Sequence, residues 1–451
     1  MEKKYDIIVS GAGPAGFCAA VSAARMGMKV LLIEESDSIL GNITAGPLEA
    51  IMTFHDGKSQ VVKGIAQEFV ENCISDGGCA GHVKDTAGYA ETITPFAPEI
   101  CKYAGYKMLR EAGVKLLMQT QILECSLEDR RIVSVKVFSK SKYQRYGAAG
   151  FVDCTGDGDL AALAGCTYEF GDSEGRAQPL TSMLQLGGVD TGRLEKMVRM
   201  HPEEFCFFSK TPFMDMLDMA KEKERQNLHL WGFRSLLKEG YESGALSLKR
   251  TEMHAMTGFY PGEMILNFTR VEANPLDMEE RSAAQAEAVI QAYELWKWLK
   301  ESQEAFRDSW IIKTGRIGIR EGRRITGYHR ITKEELEAGG RDLHPAAMGA
   351  FPMDLHSPGG SSMEVYPVSH GYRIPMESLI SRDLDNLMMA GRCICCTHEA
   401  QGSLRITATA MATGQAAGIC AALAVKSHKN CIEVDYEEVK KELLRQGMVI
   451  E

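Results

Sequence analysis

Positive charge is in deficit. Lys and Arg number 51 against 61 Asp and Glu, a net charge of −10, which argues against nucleic acid or an anionic membrane as a general partner. An anionic small substrate stays open, because a local arginine cluster can outvote the global charge. Long apolar runs are missing too. The most apolar late stretch, Ala408 to Ala424, is broken by Thr409, Thr413, Gly414, Gln415 and Gly418 and is too rich in small residues for a convincing membrane span. No signal peptide fits ahead of a first motif that starts at Lys4, so a cytoplasmic chain is expected. The thirteen cysteines are scattered, several inside apolar runs (Cys18, Cys154, Cys420), and are expected to be reduced thiols rather than a disulfide framework. Hydrophobic residues at 45% and charged ones at 25% are ordinary for a globular protein, and 451 residues suggest two or three domains.

What is present begins at once. Tyr5 to Ser10 reads as a buried strand, Gly11-Ala12-Gly13-Pro14-Ala15-Gly16 as a glycine turn, and the residues after it as a helix. Gly11 allows the tight turn, Gly13 lets a pyrophosphate approach the backbone, and Gly16 lets helix and strand pack closely. The helix N-terminus offers free N–H groups to phosphate. A second strand, Lys29 to Ile33, ends in Glu34, an acceptor for a ribose hydroxyl and a source of repulsion for a 2′-phosphate. The motif identifies a dinucleotide site without separating NAD from FAD. No second G-x-G-x-x-G follows.

Glu35 to Pro47 is a loop placed to pass over a bound dinucleotide. His55 beside Asp56 suggests either an acid/base pair or a turn at Asp56-Gly57. Helices are expected over Gln60 to Ile74 and Pro98 to Ala112, the latter stopped by Gly113. Strands are expected over Val114 to Met118, Gln121 to Cys125 and Ile132 to Phe138. Gly150 to Gly165 repeats the strand, glycine turn and helix, with Asp157 or Asp159 as a candidate cap. From about Asp190 to His370 the composition shifts, as in an inserted second domain that supplies a substrate wall. Its expected helices are Leu194 to Met200, Pro212 to Glu224, Phe233 to Glu239 and Met278 to Ser302. Its expected strands are Ala245 to Thr251, Gly258 to Tyr260 and Met264 to Val271. Gly315 to Tyr328 alternates Ile with Arg, so a regular strand would put Arg320 and Arg324 on one face, either gripping a carboxylate or solvated with Glu321 as counter-ion. His356 to Ser361 is a polar loop. Leu387 to Ala390 is an apolar strand running into Gly391-Arg392, and Thr397 to Gly418 carries helix whose small residues would pack close to a flat cofactor. Cys393-x-Cys395-Cys396 lacks a second C-x-x-C at zinc or iron–sulfur spacing, so no metal site is expected there. Asp435 to Gln446 is a terminal helix capped by Asp435 and stopped by Gly447.

Together, Gly11/Gly13/Gly16/Glu34, the Asp153-Cys154-Thr155-Gly156-Asp157-Gly158-Asp159 turn, Arg320-Glu321-x-Arg323-Arg324 and the tail from Ala390 through His398, Arg405 and Gly418 resemble the bacterial FAD-dependent oxidoreductases. These are distant relatives of the fumarate reductase and succinate dehydrogenase flavoprotein. The resemblance implies an α/β fold: a discontinuous Rossmann-like FAD domain of the glutathione-reductase type (1–189 and 370–451) around an inserted α+β substrate or cap domain (190–369). It implies that Gly11, Gly13, Pro14, Ala15 and Gly16 hold the pyrophosphate and that Glu34 and Glu35 serve the adenosine ribose. Gly41, Asn42, Ile122, Thr155, Gly156 and Asp157 would join the cofactor site. So would Gly391 and Arg392, with Ser403 and Leu404 near the isoalloxazine. No histidine lies between Glu34 and Pro47, where relatives attach flavin covalently, so non-covalent FAD is expected.

The expected activity is hydride transfer between flavin N5 and a small organic substrate bearing a carboxylate or hydroxyls. Arg405 and Arg320 are the candidates to orient it, and His398 the candidate acid/base group, with His55 and His356 as alternatives. The electron partner is unidentified and a homo-oligomer is left open. The alternative reading is a flavin-binding relay or non-redox protein acting with a partner.

Overall fold

The computed structural model describes residues 3–48, 50–205, 228–341, 344–356, 358–359 and 363–451. The helix expected over Pro212 to Glu224, and Ser357, Gly360 and Ser361 of the polar loop, lie outside the described residues. The strand Lys3–Ser10 sits centrally in a seven-stranded sheet, parallel to Val30–Ile33 on one side and to Lys142–Asp153 on the other. Its apolar end, Ile7 to Val9, is fully buried, as a strand covered on both faces must be. Lys115–Leu117 extends the sheet beyond Val30–Ile33, and Leu387–Met389 pairs in parallel with Phe151 to Asp153. The Lys142–Asp153 strand begins well before Gly150. Its first half joins an antiparallel meander with Arg131–Ser139 and Gln121–Glu128, where its partly exposed polar residues face solvent. This is the α/β architecture with a parallel core that the sequence implied.

The helix Pro14–Arg25 follows the glycine turn and packs against Thr407–Ser427, a 21-residue helix near the other end of the chain. That helix is long and apolar enough to cross a membrane, but 89% of its most apolar window is buried inside the protein. Its small residues serve helix–helix approach. A Cβ on Gly414 would stand 2.1 Å from the Ala15 carbonyl oxygen, and one on Gly418 would stand 2.3 Å from that of Ala19. They therefore face the first helix, where the sequence had suggested a flat cofactor. Between them, Gln415 Oε1 accepts the Ile65 N–H (2.8 Å), and Gln415 Nε2 donates to the Gln446 carbonyl (3.2 Å).

A second, five-stranded antiparallel sheet runs in the order His229–Gly232, Met253–Thr257, Met264–Asn267, Leu184–Gly187, Trp310–Thr314. The helix Met278–Ser302 has the expected bounds. Asp277 caps it by accepting the Glu279 and Glu280 N–H groups, and Ala292, Leu295 and Leu299 join the apolar cluster of this sheet. The strands expected over Ala245 to Thr251 and Gly258 to Tyr260 are absent. The Arg250 guanidinium is drawn to the Phe268 carbonyl, and the chain reverses at Tyr260 to Glu263 through Gly262 at φ +77°. Nor is Gly315 to Tyr328 a regular strand. Gly318 makes an isolated bridge to Thr181, and Arg324–Ile325 pairs with Tyr168–Glu169. Arg320 and Arg324 accordingly share no strand face. Apolar side chains between Leu184 and Phe306 form the second cluster, whereas Ile325, Leu336 and Tyr372 join the cluster around the large sheet.

Gly414→Val should cost roughly 3 kcal/mol or more, because the contact it crowds is backbone and cannot rotate away. Gly192→Ala, with no atom closer than 3.4 Å to the new Cβ, should be neutral or slightly stabilising. Thermal melts of both variants check this, and equal melting temperatures would contradict the packing account.

Candidate active site

The parallel strands end together. Ser10, Glu34, Cys154 and Ala390 lie at the carboxyl ends of four of them and line one cleft of about 770 Å³, the place where open α/β sheets bind ligands. The glycine turn forms its floor. At Gly11 (φ +87°) a Cβ would stand 2.5 Å from the Cys154 carbonyl oxygen, so the turn closes only without one. Gly16 is not in the cleft wall, and its missing Cβ makes room for the Gly11 carbonyl. Gly13 meets nothing within 4 Å and opens on the cleft at the N-terminus of Pro14–Arg25. Glu34 is fixed beside the glycine turn, its two carboxylate oxygens accepting the Ala12 N–H (2.6 Å) and the Ser36 N–H (2.8 Å).

The expected cofactor residues Pro14, Ala15, Glu35, Gly41, Asn42 and Ile122 all line this cleft. Thr155, Gly156, Asp157, Gly391 and Arg392 line it as well. Neither Asp157 nor Asp159 caps the short helix Asp159–Leu163. The carboxylate that ties this turn is Asp153. It is fully buried and accepts the Thr155 N–H (3.0 Å), the Thr155 hydroxyl (2.7 Å) and the Ala161 N–H (2.9 Å). Arg392 Nη2 donates to Asp157 (2.8 Å), while its buried Nε has no hydrogen-bond partner and is left for a bound group. Open glycine backbone, a fixed ribose-type acceptor and an unsatisfied guanidinium are what a dinucleotide cofactor such as FAD requires, so the residues present fit it. Ser403 and Leu404 lie elsewhere. The Ser403 hydroxyl meets the Tyr372 hydroxyl (2.6 Å) and the Phe351 carbonyl, and Leu404 is core.

A second cavity of about 220 Å³ adjoins the first, and the two share Asn42, Arg316, Ile319, Arg392, Arg405 and Thr407 in their walls. Thr407 opens the long helix Thr407–Ser427 at this junction. The second cavity brings Arg320 and Arg405 together, with Asp354 and His356. Asp354 lies in the strand Met353–Leu355, on which the helix His398–Leu404 is seated so closely that a Cβ on Gly402 would stand 2.7 Å from the Asp354 carbonyl oxygen. That contact delivers Arg405, whose Nη2 donates to the Asp354 carbonyl (3.1 Å) and approaches its carboxylate (3.4 Å). His356 Nε2 lies 3.0 Å from Asp354 Oδ1, and its Nδ1 is buried without a partner.

Five guanidinium groups line this cavity (Arg250, Arg316, Arg320, Arg392, Arg405) against the single carboxylate of Asp354. Arg316 pairs outside it with Glu35 (2.5 Å) and Arg392 with Asp157. Arg320 and Arg405 therefore share Asp354, while Arg250 feels the charge of Glu252 from outside the cavity. Burial, then Arg405, push Arg320 down to about 9, and burial, then Arg270, push Arg250 down to about 10. Burial works to raise Asp354, but His356, Arg405 and Arg320 hold it well below the usual carboxylate range. Burial, then Arg320, push His356 down to about 3 against the pull of Asp354.

His398 stands outside both cavities, its Nδ1 2.7 Å from the fully buried Glu321, which also pairs with Arg324. Glu321 is thus no solvated counter-ion. His55 and Asp56 turn apart. His55 Nδ1 meets the Thr92 hydroxyl (3.1 Å), and Asp56 accepts the Lys58 and Ser59 N–H groups of a turn. Two histidines line the smaller cavity, His254 and His356, and the one beside Asp354 is His356. The sequence signal for it was Asp354 two residues earlier, since alternate residues at a strand end face the same way. Arg250, Thr407 and the aromatic wall of Tyr89, Trp231 and Phe351 had no local signal.

Several known proteins resemble the chain. The tRNA uridine 5-carboxymethylaminomethyl modification enzyme MnmG of Streptococcus gordonii is 26% identical over 208 residues, covering 43% of this chain and 30% of that protein. A digeranylgeranylglycerophospholipid reductase of Picrophilus torridus is 52% identical over 46 residues, 10% of this chain and 12% of that protein. The chain thus spans less than a third of the length of these curated relatives. A geranylgeranyl bacteriochlorophyll reductase-like protein from Thermoplasma acidophilum shares the fold at a TM-score of 0.50 and 12% identity, over 100% of this chain and 85% of that one. The model of the FAD dependent oxidoreductase family matches residues 6–443, and the chain belongs to that family.

Proposed function

We propose that this FAD-dependent oxidoreductase acts on a small organic anion held in the arginine-lined cavity, with hydride passing between a substrate carbon and flavin N5. The observation that carries the reading is the charge of the cavity: five guanidinium groups line it, and Asp354 is the one carboxylate among the described residues of its wall. A buried positive excess of this kind is costly until an anion enters. Bound FAD supplies the hydride acceptor or donor. Gly11, Gly13 and the first helix N-terminus hold its pyrophosphate, Glu34 its ribose, and Arg392 the middle of the molecule, all without a covalent link. The N-terminus of Thr407–Ser427, at the junction of the two cavities, would offer its free N–H groups to negative charge on the flavin.

Arg320 and Arg405 fix the substrate carboxylate and leave its reacting carbon toward the cleft. His356 handles the proton. With Nε2–H given to Asp354, its Nδ1 keeps a lone pair that can take a proton from the substrate. An anion beside Arg320 offsets the field that depresses His356 and makes it a better base. The partners are a small-molecule substrate and an electron donor or acceptor of unassigned identity. The division at 189/190 and 369/370 remains our proposal for the domains, and the cytoplasm our proposal for location. One observation favours the relay reading. Trp310 and Ile312 of the outermost strand of the smaller sheet are exposed, as a docking partner would need.

Anaerobic bleaching of the flavin by a panel of small carboxylates, beside their alcohols and amides, separates these readings. Bleaching by a carboxylate alone supports the enzyme reading, and bleaching only when a protein partner is added contradicts it. Arg320→Met should lower the bleaching rate constant with carboxylate donors by about 100-fold. It should leave the visible spectrum intact, and an unchanged rate would remove Arg320 from substrate binding.

His356 also sets an acid limit. The unfolded chain binds its proton near the ordinary value of 6.5 and the folded chain only near 3, so stability falls as pH drops between those values. His356→Asn should shrink the loss of melting temperature between pH 7 and pH 4. An identical loss in variant and parent would contradict the neutral, buried histidine.

A further inference from the structure

Part of the wall of the small cavity is aromatic. Tyr89, Trp231 and Phe351 come from three distant parts of the chain and meet there, buried, in an apolar cluster of their own with Ala50, Met52 and Met256. The Tyr89 ring stands 5.3 Å from that of Trp231 at 61° and 5.2 Å from that of Phe351 at 90°, both edge-to-face geometries. Among the cationic groups, Arg250 is 7% exposed, and the buried Arg250 Nε and Arg405 Nη1 have no hydrogen-bond partner. Size limits the occupant. A dry cavity of about 150 Å³ holds benzene, so 220 Å³ accommodates one ring and a small substituent.

We infer that the cavity selects a single-ring aryl carboxylate, its ring against Tyr89, Trp231 and Phe351 and its carboxylate among Arg250, Arg320 and Arg405. The inference rests on the anionic-substrate reading above and adds the aromatic ring. Each end answers a need of the site. The carboxylate satisfies the idle guanidinium donors with charge-assisted bonds, and a flat ring extends the edge-to-face cluster where a puckered aliphatic ring does not. The depressed arginines describe the same demand for an anion.

The test is calorimetric titration of the FAD-loaded protein with benzoate, cyclohexanecarboxylate and benzamide, read alongside the flavin difference spectrum. Benzoate should bind about three- to tenfold more tightly than cyclohexanecarboxylate and at least about tenfold more tightly than benzamide. Equal affinity for the two carboxylates overturns the aromatic inference and leaves the anionic reading standing. Equal affinity for benzoate and benzamide overturns the anionic reading beneath it. Failure of all three to bind overturns the inference outright. Arg250→Met should cost benzoate at least about tenfold and benzamide nothing, and a loss shared equally by both contradicts the assigned carboxylate position. Should that variant not fold, the three ligands on the unaltered protein decide alone.

Discussion

Backbone approaching backbone at glycine holds this protein together. Gly11 against the Cys154 carbonyl, Gly16 against the Gly11 carbonyl and Gly414 against the Ala15 carbonyl bring the beginning, middle and end of the chain to one point. No side chain can occupy those contacts. The cleft exists because these three approaches put the carboxyl ends of four parallel strands, the first helix N-terminus and Arg392 around the same space. Since the helix Thr407–Ser427 is pinned to the first helix, its own N-terminus at Thr407 lies where the two cavities join.

Charge then divides the labour. The molecule as a whole is acidic, yet the smaller cavity gathers guanidinium groups that face one carboxylate. A global excess of acid keeps the outer surface repulsive to polyanions, while the buried arginines create a local demand for a small anion. Asp354 is central to this balance. It holds His356 on one side and Arg405 on the other, and its position is set by the seating of Gly402 on the strand that carries it. Arginine placement, the position of His356 and the seating of the helix His398–Leu404 are therefore coupled through one strand.

The parallel core was legible because buried parallel strands are continuous apolar runs and because glycine spacing encodes close approach. The helix Met278–Ser302 was legible to the residue, with Asp277 as its cap and a long alanine- and glutamate-rich run. The arginine-rich run was misread because Gly315, Gly318 and Gly322 break its alternation, each pressed against another segment. The strands His229–Gly232 and Met253–Thr257 were missed because they are short and buried without a polar alternation to mark them. His356 was only one of three candidate histidines, placed in a polar loop, since its pairing with Asp354 gains meaning only from burial. The wall of Tyr89, Trp231 and Phe351 is a tertiary convergence that no local pattern reports.

The central claim is that the glycine crossing and Arg392 hold FAD by non-covalent contacts at the mouth of the arginine-lined cavity. The visible absorption spectrum of the purified protein, repeated on the supernatant after heat precipitation, tests it most directly. The account predicts a yellow protein whose flavin spectrum passes entirely into the supernatant. Colour retained in the pellet would contradict the non-covalent site, and a colourless protein that takes up no added FAD would contradict the site itself.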